Sequence, residues 1–190
     1  MTSEGDRALL LALARKAIAA HIEGTSAPAP DLVGVLARLG GAFVTLHAGG
    51  DLRGCIGHVE TNEPLGRVVP RCAVAACSAD PRFPAVTRAE VPSIAIEMSL
   101  LGPLERIAGA GDIEVGRHGL LVGAGWHRGL LLPQVAVEWR WDATAFLEHT
   151  CRKAGLPSDA WRHEGSAIWR FEAEVFGESK LETENSKLKT

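Results

Sequence analysis

Two stretches of alternating side chains, Ala42 to His47 and Leu52 to Val59, are joined by Ala48-Gly49-Gly50-Asp51, and this pattern constrains the fold more tightly than any other in the chain. Period two sends successive side chains to opposite faces of a strand, and the Gly-Gly-Asp link is turn chemistry, so the pattern predicts an antiparallel β-hairpin. A lone hairpin is marginal in water and needs further strands or a covering helix. The neighbouring sequence supplies both. Pro64 suits the first turn of a helix, along which Leu65, Val68, Val69, Cys72 and Ala76 share one face until about Asp80. Ser93 to Leu100 alternates as a strand, Gly119 to Gly125 and Gly129 to Leu132 form a second hairpin around Trp126-His127-Arg128, and Ala167 to Phe176 closes as a half-buried strand. Ser3 caps a helix over about residues 4–22, Asp31 caps a short one through Arg38, and Asp142 caps a third that stops at Gly155 before Pro157.

With 190 residues, 46% hydrophobic and 23% charged, the chain has enough apolar material for one buried core. One domain over 1–176 is expected, followed by a polar tail over 177–190 with too little apolar surface to order itself. A net charge of −3 lacks the basic footprint of a nucleic-acid binder. No stretch approaches the roughly 18 apolar residues of a membrane span, and Glu4 and Asp6 stand where a secretory leader carries positive charge. The expectation is a cytoplasmic protein, monomer or homodimer, with neither membrane nor nucleic acid as partner. Cys55, Cys72, Cys77 and Cys151 are scattered without Cys-x-x-Cys spacing, and Cys72 and Cys77 fall on different helix faces, so neither a disulfide framework, a metal site nor a cofactor is expected.

Within the hairpin, alternation sends Arg53, Cys55 and Gly57 to one face and Gly54 and Ile56 to the other. A guanidinium fixed beside a thiol favours the thiolate, the form that acts as nucleophile, and Gly54 and Gly57 remove bulk around the sulfur so that a substrate or another backbone can approach. The opposite reading, an inert thiol under a helix with glycines serving tight packing, stays open. Candidate bases for Cys55 are His47 on the partner strand, His58, which alternation turns away, and His118. Pro81-Arg82-Phe83-Pro84 is a stiff segment in which Arg82 can clamp an anion, with Asp80 orienting it, or the two can simply tie down a loop. Gln134, after Pro133, is a further substrate-binding candidate where a strand gives way to a loop. The five tryptophans read as packing residues, since no basic interleaving accompanies them.

The run Leu52-Arg53-Gly54-Cys55-Ile56-Gly57 resembles the signature of the AMMECR family. Further blocks agree in order: Gly41 to Leu46, Asp80 to Pro84, Ile94 to Leu100, His118-Gly119-Leu120, Gly129 to Val135, Cys151 to Leu156, and Trp161. The resemblance implies an α+β fold, a mostly antiparallel central sheet flanked by helices, with a smaller subdomain across a cleft. It favours His118, which falls in a family block, as general acid or base. It also implies a place beside a Memo-type protein and a radical-SAM protein in an AmmeMemoRadiSam system. Two functions follow as expectations: a cysteine-dependent enzyme or enzyme subunit acting on a small anionic organic substrate, with Cys55 as thiolate centre, or a non-enzymatic module docking a Memo-type or radical-SAM partner.

Overall fold

The computed structural model describes residues 2–59 and 62–178. These residues fall into two compact units, one from Met1–Leu101 with Glu174–Thr190, the other from Gly102–Ala173. Each sets helices against antiparallel strands, and the fold is α+β, as the family resemblance implies.

In the first unit, helix α1 (Glu4–Ile22) begins where Ser3 and Asp6 cap one another: the Ser3 hydroxyl accepts from the Asp6 amide at 3.1 Å, and the Asp6 carboxylate accepts from the Ser3 amide at 3.2 Å. Leu10, Ala14, Ala17 and Ile18 are buried at helical spacing. The expected hairpin forms from strand β1 (Gly41–Ala48) and strand β2 (Asp51–His58), and strand β3 (Ile94–Leu101) pairs antiparallel with the other edge of β1. Helix α2 (Leu65–Ser78) buries Leu65, Val68, Val69, Cys72 and Ala76, with Pro64 standing just outside the helix as its N-cap. Together with Val44, Leu46, Ile96 and Met98 from the strands, these side chains form one apolar core. The helix expected from Asp31 is reduced to a single 3-10 turn, Gly34–Ala37, without a side-chain cap. So short a segment does not recover the cost of nucleating an α-helix.

In the second unit, strand β5 (His118–Ala124) pairs with strand β6 (His127–Leu131) and with strand β7 (Ser166–Gly177), which also takes the short strand β4 (Glu105–Ile107). The hairpin turn is Gly125-Trp126, earlier than the expected Trp126 to Arg128, because Gly125 supplies the left-handed backbone at φ 58° that a two-residue turn requires. Helix α3 (Pro133–Glu138) was not foreseen, six residues being too few to show a period, whereas helix α4 (Ala143–Lys153) starts as expected, the Ala145 amide donating to Asp142 at 2.7 Å. Phe146, Leu147 and Cys151 pack with Leu120, Val122 and Ile168. Of the expected tail, Gly177 ends β7 and the Glu178 carboxylate accepts from the Arg15 guanidinium at 2.7 Å, while 179–190 lies outside the described residues.

The two units solve the same packing problem in the same way. A Cβ on Gly54 of β2 would lie 2.2 Å from the Ala76 carbonyl of α2, and a Cβ on Gly129 of β6 would lie 2.3 Å from the Ala154 amide at the end of α4. In both, a helix backbone rests directly on the second hairpin strand, and only glycine leaves room for it. Gly54→Ala is accordingly expected to destabilise the fold by about 3 kcal/mol, the upper end of ordinary overpacking, because backbone rather than a flexible side chain must yield. Urea denaturation measures this, and unchanged stability would show that α2 is not seated on Gly54.

Candidate functional site

Cys55 lies on β2, the edge strand of the first unit. An edge strand presents unpaired amides and carbonyls outward, and at Cys55 both are taken by the segment that follows α2. Its amide donates to Asp80 Oδ2 at 2.9 Å, and its carbonyl accepts from Arg82 Nη2 at 3.3 Å. Asp80 is held in turn, accepting from the Arg82 guanidinium at 2.7 and 3.0 Å and from the Arg82 amide at 3.1 Å. The Arg82 guanidinium, with the two amides, holds the Asp80 carboxyl well below the usual carboxylate range although burial opposes it. The Asp80 side chain is only 2% exposed, while that of Arg82 is 54% exposed and crosses the Phe83 ring.

Because its amide and carbonyl face outward, Cys55 meets its cross-strand partner Thr45 as a non-hydrogen-bonded pair, the closer of the two antiparallel arrangements. The Thr45 hydroxyl donates to Cys55 Sγ at 3.3 Å. Thr45 is in turn opposite Glu97 of β3, so Cys55, Thr45 and Glu97 form one row across the sheet face that points away from α2.

Arg53 stands two residues before Cys55, at the point where the β1–β2 register shifts, and its guanidinium is engaged elsewhere. It donates to Glu90 Oε1 at 2.8 Å and Oε2 at 3.3 Å, and to the carbonyls of Pro84 at 2.8 Å and Ala85 at 3.4 Å. Glu90 also accepts from the amide and hydroxyl of Thr87, both at 2.8 Å. The Arg53 guanidinium and these Thr87 bonds lower the Glu90 pKa from 4.5 to about 2. The geometry therefore makes Arg53 a latch for residues 84–90 rather than a cation aimed at the sulfur.

With this arrangement in place, comparison with known proteins decides the kinship. A family profile described as AMMECR1 matches residues 11–176. The chain belongs to the AMMECR1 family. Within it, the chain is similar to a protein of Methanothermobacter thermautotrophicus, 44% identical over 177 residues covering 89% of this chain and 92% of the relative. It is also similar to a protein of Methanosarcina mazei, 39% identical over 194 residues and 97% of both chains. The crystal structure of an uncharacterised protein from Pyrococcus horikoshii superposes with a TM-score of 0.82 at 41% identity, covering 90% of each chain.

In this AMMECR1 chain the remaining candidate residues are distributed as follows. Gly54 and Gly57 do not leave space around the sulfur: Gly54 faces the Ala76 carbonyl, and the Phe43 ring lies 2.2 Å from where a Cβ on Gly57 would stand. Their small size serves packing on both faces of β2. His118 belongs to the second unit, where its Nδ1 accepts the Glu114 amide at 2.9 Å and burial, aided by Arg170 and Arg117, lowers its pKa. With Nδ1 so engaged, the neutral ring carries its proton on Nε2 and acts as a donor. It lines a cavity of about 440 Å³ with Arg117, Arg170, Glu114 and Glu172. Gln134 is the second residue of α3, not a strand-to-loop residue. Trp126 and Trp139 are 89% and 67% exposed, so they are not core residues; Trp139 stacks on Trp141, which stacks on His149. Among the described residues no group of three or more His, Cys, Asp or Glu is gathered as for a metal ion, and no helix is long and apolar enough to cross a membrane.

Thr45, Glu90 and Glu97 escaped the sequence reading because each is joined to the hairpin only by strand pairing or by a distant loop. Asp80→Ala is expected to cost about 3 kcal/mol, since the Cys55 amide and the Arg82 guanidinium both lose their acceptor; a melting curve matching the native chain would contradict this. The pH response has a definite sign. Glu90 has the lower pKa in the folded state, so its contribution is complete above 4.5 and is lost as the pH falls from there towards 2. With the intrinsic slowing of exchange in acid divided out, amide protection over 80–90 should fall across that window, and in Arg53→Ala the loss of protection should be present already at neutral pH.

Proposed function

We propose that this protein is a cysteine-dependent enzyme, or enzyme subunit, acting on a small anionic organic molecule, with Cys55 as its thiolate centre and Arg82 as the group that receives the anion. The observation that carries the reading is the contrast between Cys55 and the other three cysteines. Cys72, Cys77 and Cys151 are buried, and burial raises the pKa of each, that of Cys72 to about 11. Those thiols are inert packing groups. Cys55 is partly exposed, and a hydroxyl donates to its sulfur.

Arg82 supports the anionic substrate class. Asp80 fixes its orientation while half of the side chain stays open to solvent, and its bond to the Cys55 carbonyl brings the guanidinium beside the residue that carries the sulfur. An anion bound there loses little entropy to loop ordering, because the loop is already tied down.

Peptide-resolved alkylation of the full chain tests the reading. Cys55 should label at pH 7 about tenfold faster than free cysteine, with Cys72, Cys77 and Cys151 labelling only on unfolding. Thr45→Val should slow Cys55, and small carboxylates or phosphate should protect it in the native chain but not in Arg82→Ala. If Cys55 labels no faster than an ordinary exposed thiol, the enzyme reading fails and the alternative of a module docking a Memo-type or radical-SAM partner takes its place.

A further inference from the structure

The second unit holds a cavity that the chemistry of Cys55 does not use. On β7, Ile168, Arg170 and Glu172 pair in turn with Val122, Leu120 and His118 of β5, and Ile107 and Glu105 of β4 pair with Ile168 and Arg170. Directly paired residues share a face of the sheet. That face changes along its length. Leu120, Val122 and Ile168 enter the apolar core, with Ile107 packed against it. Beyond them His118, Arg170, Glu172 and Glu105 line a cavity of about 440 Å³, joined by Glu114 and Arg117 from the segment before β5. Polar groups converging on a concave space beside an apolar core are the usual make-up of a small-molecule site.

The lining defines the occupant. His118 is only 8% exposed, and because its Nδ1 accepts the Glu114 amide, the ring proton sits on Nε2. Nε2 has no hydrogen-bond partner among the described residues, so an incoming acceptor would satisfy a covered donor. Arg170 donates to Glu105 and to the Asp112 carbonyl, and Arg117 donates to Glu172 and Glu114. A guanidinium carries five N–H groups, and these pairs use one on each nitrogen. At the His118 ring each arginine outweighs each glutamate, and together with burial they lower its pKa and keep it neutral at pH 7. The inner end of the cavity therefore favours an anionic acceptor.

The mouth has the opposite preference. The lining sets two guanidiniums against three carboxylates, which leaves one negative charge uncompensated. Glu105, Glu114 and Glu172 are each more than half exposed, whereas Arg170 is less than a third exposed. Each glutamate also meets its arginine through one oxygen only, Oε2 of Glu105, Oε2 of Glu114 and Oε1 of Glu172, so the other oxygen can accept from a ligand.

We infer that this cavity binds a small amino carboxylate, its carboxylate accepting from His118 Nε2 and Arg170, its ammonium set among Glu105, Glu114 and Glu172. A simple anion would leave the surplus carboxylate at the mouth unanswered. A simple amine would leave the His118 donor without an acceptor. The assignment is a binding role, makes or breaks no bond, and does not depend on the reactivity of Cys55.

The test titrates the full chain with glycine, 4-aminobutyrate and 6-aminohexanoate, which space the two charges differently, and with butyrate and butylamine, which carry one charge each. The imidazole resonances of His118 are followed by NMR and affinity by calorimetry. At least one amino carboxylate should shift the His118 resonances and raise its pKa, because a carboxylate beside the ring favours the imidazolium. It should bind about tenfold more tightly than butyrate or butylamine. In Glu105→Gln the amino carboxylate should weaken while butyrate tightens, a reversal that general loss of structure would not produce. If butyrate binds as well as every amino carboxylate, the zwitterionic ligand is overturned. If no amino carboxylate moves His118 at about 10 mM, the lining is an ion-pair network that only braces the sheet, and the proposal falls. Should Glu105→Gln fail to fold, as circular dichroism would reveal, the probe series on the native chain decides alone.

Discussion

The buried Asp80 carboxylate is the interaction on which the candidate site depends. It accepts the Cys55 amide and the Arg82 guanidinium at once, while Arg82 returns a bond to the Cys55 carbonyl. In effect, two residues of an irregular segment stand in for the missing neighbour of an edge strand, satisfying both outward groups at one residue. Such a carboxylate is stable in a covered position only because every bond it makes comes from a charged or oriented donor. Its loss would free the edge, release Arg82, and leave Cys55 on an unsupported strand.

This arrangement joins two blocks that the sequence displays separately. Leu52 to Gly57 and Asp80 to Pro84 form a single structure, closed at one end by Asp80 and Arg82 on Cys55, and at the other by Arg53 on Pro84, Ala85 and Glu90. The two guanidiniums and two carboxylates largely neutralise one another, and the side-chain hydrogen bond to the sulfur comes from the Thr45 hydroxyl. Rigidity at the edge and a small number of open polar groups on the face are what a site for a small molecule requires.

Much of the scaffold was legible because its signals are local. The capping box at Ser3, the apolar stripe from Leu65 to Ala76, the Asp142 cap and the alternating strands depend on residues within a few positions of one another. Short elements carry too few residues to show a period, so β4 and α3 were missed, and the helix expected at Asp31 was overcalled. Among the site residues, alternation sends Arg53 and Cys55 to one face, but Arg53 falls at the register shift of the hairpin and its guanidinium goes to Glu90, 37 residues away, which no local pattern records. Gly54 and Gly57 were recognised as positions where bulk is excluded; whether a ligand, a helix backbone or an aromatic ring fills the space is decided by elements distant in sequence.

By itself, the sequence determined the hairpin, its covering helix, the family, and Cys55 as the cysteine to watch, since each rests on periodicity or on contiguous residues. Only the tertiary structure decided what Cys55 meets. Counting outward from the turn, where Ala48 pairs with Asp51, a regular hairpin would set Cys55 opposite Val44, a core residue. The observed pairing shifts between Leu46 and His47, so that Leu46 meets Gly54 and Arg53 is the extra residue of a bulge. A shift of one residue exchanges the faces of a strand, and it is this bulge that sets Cys55 opposite Thr45 on the polar side. Its cause is long-range: Gly54 must lie under the Ala76 carbonyl of α2 while Arg53 reaches Glu90, and no local pattern in the hairpin records either demand.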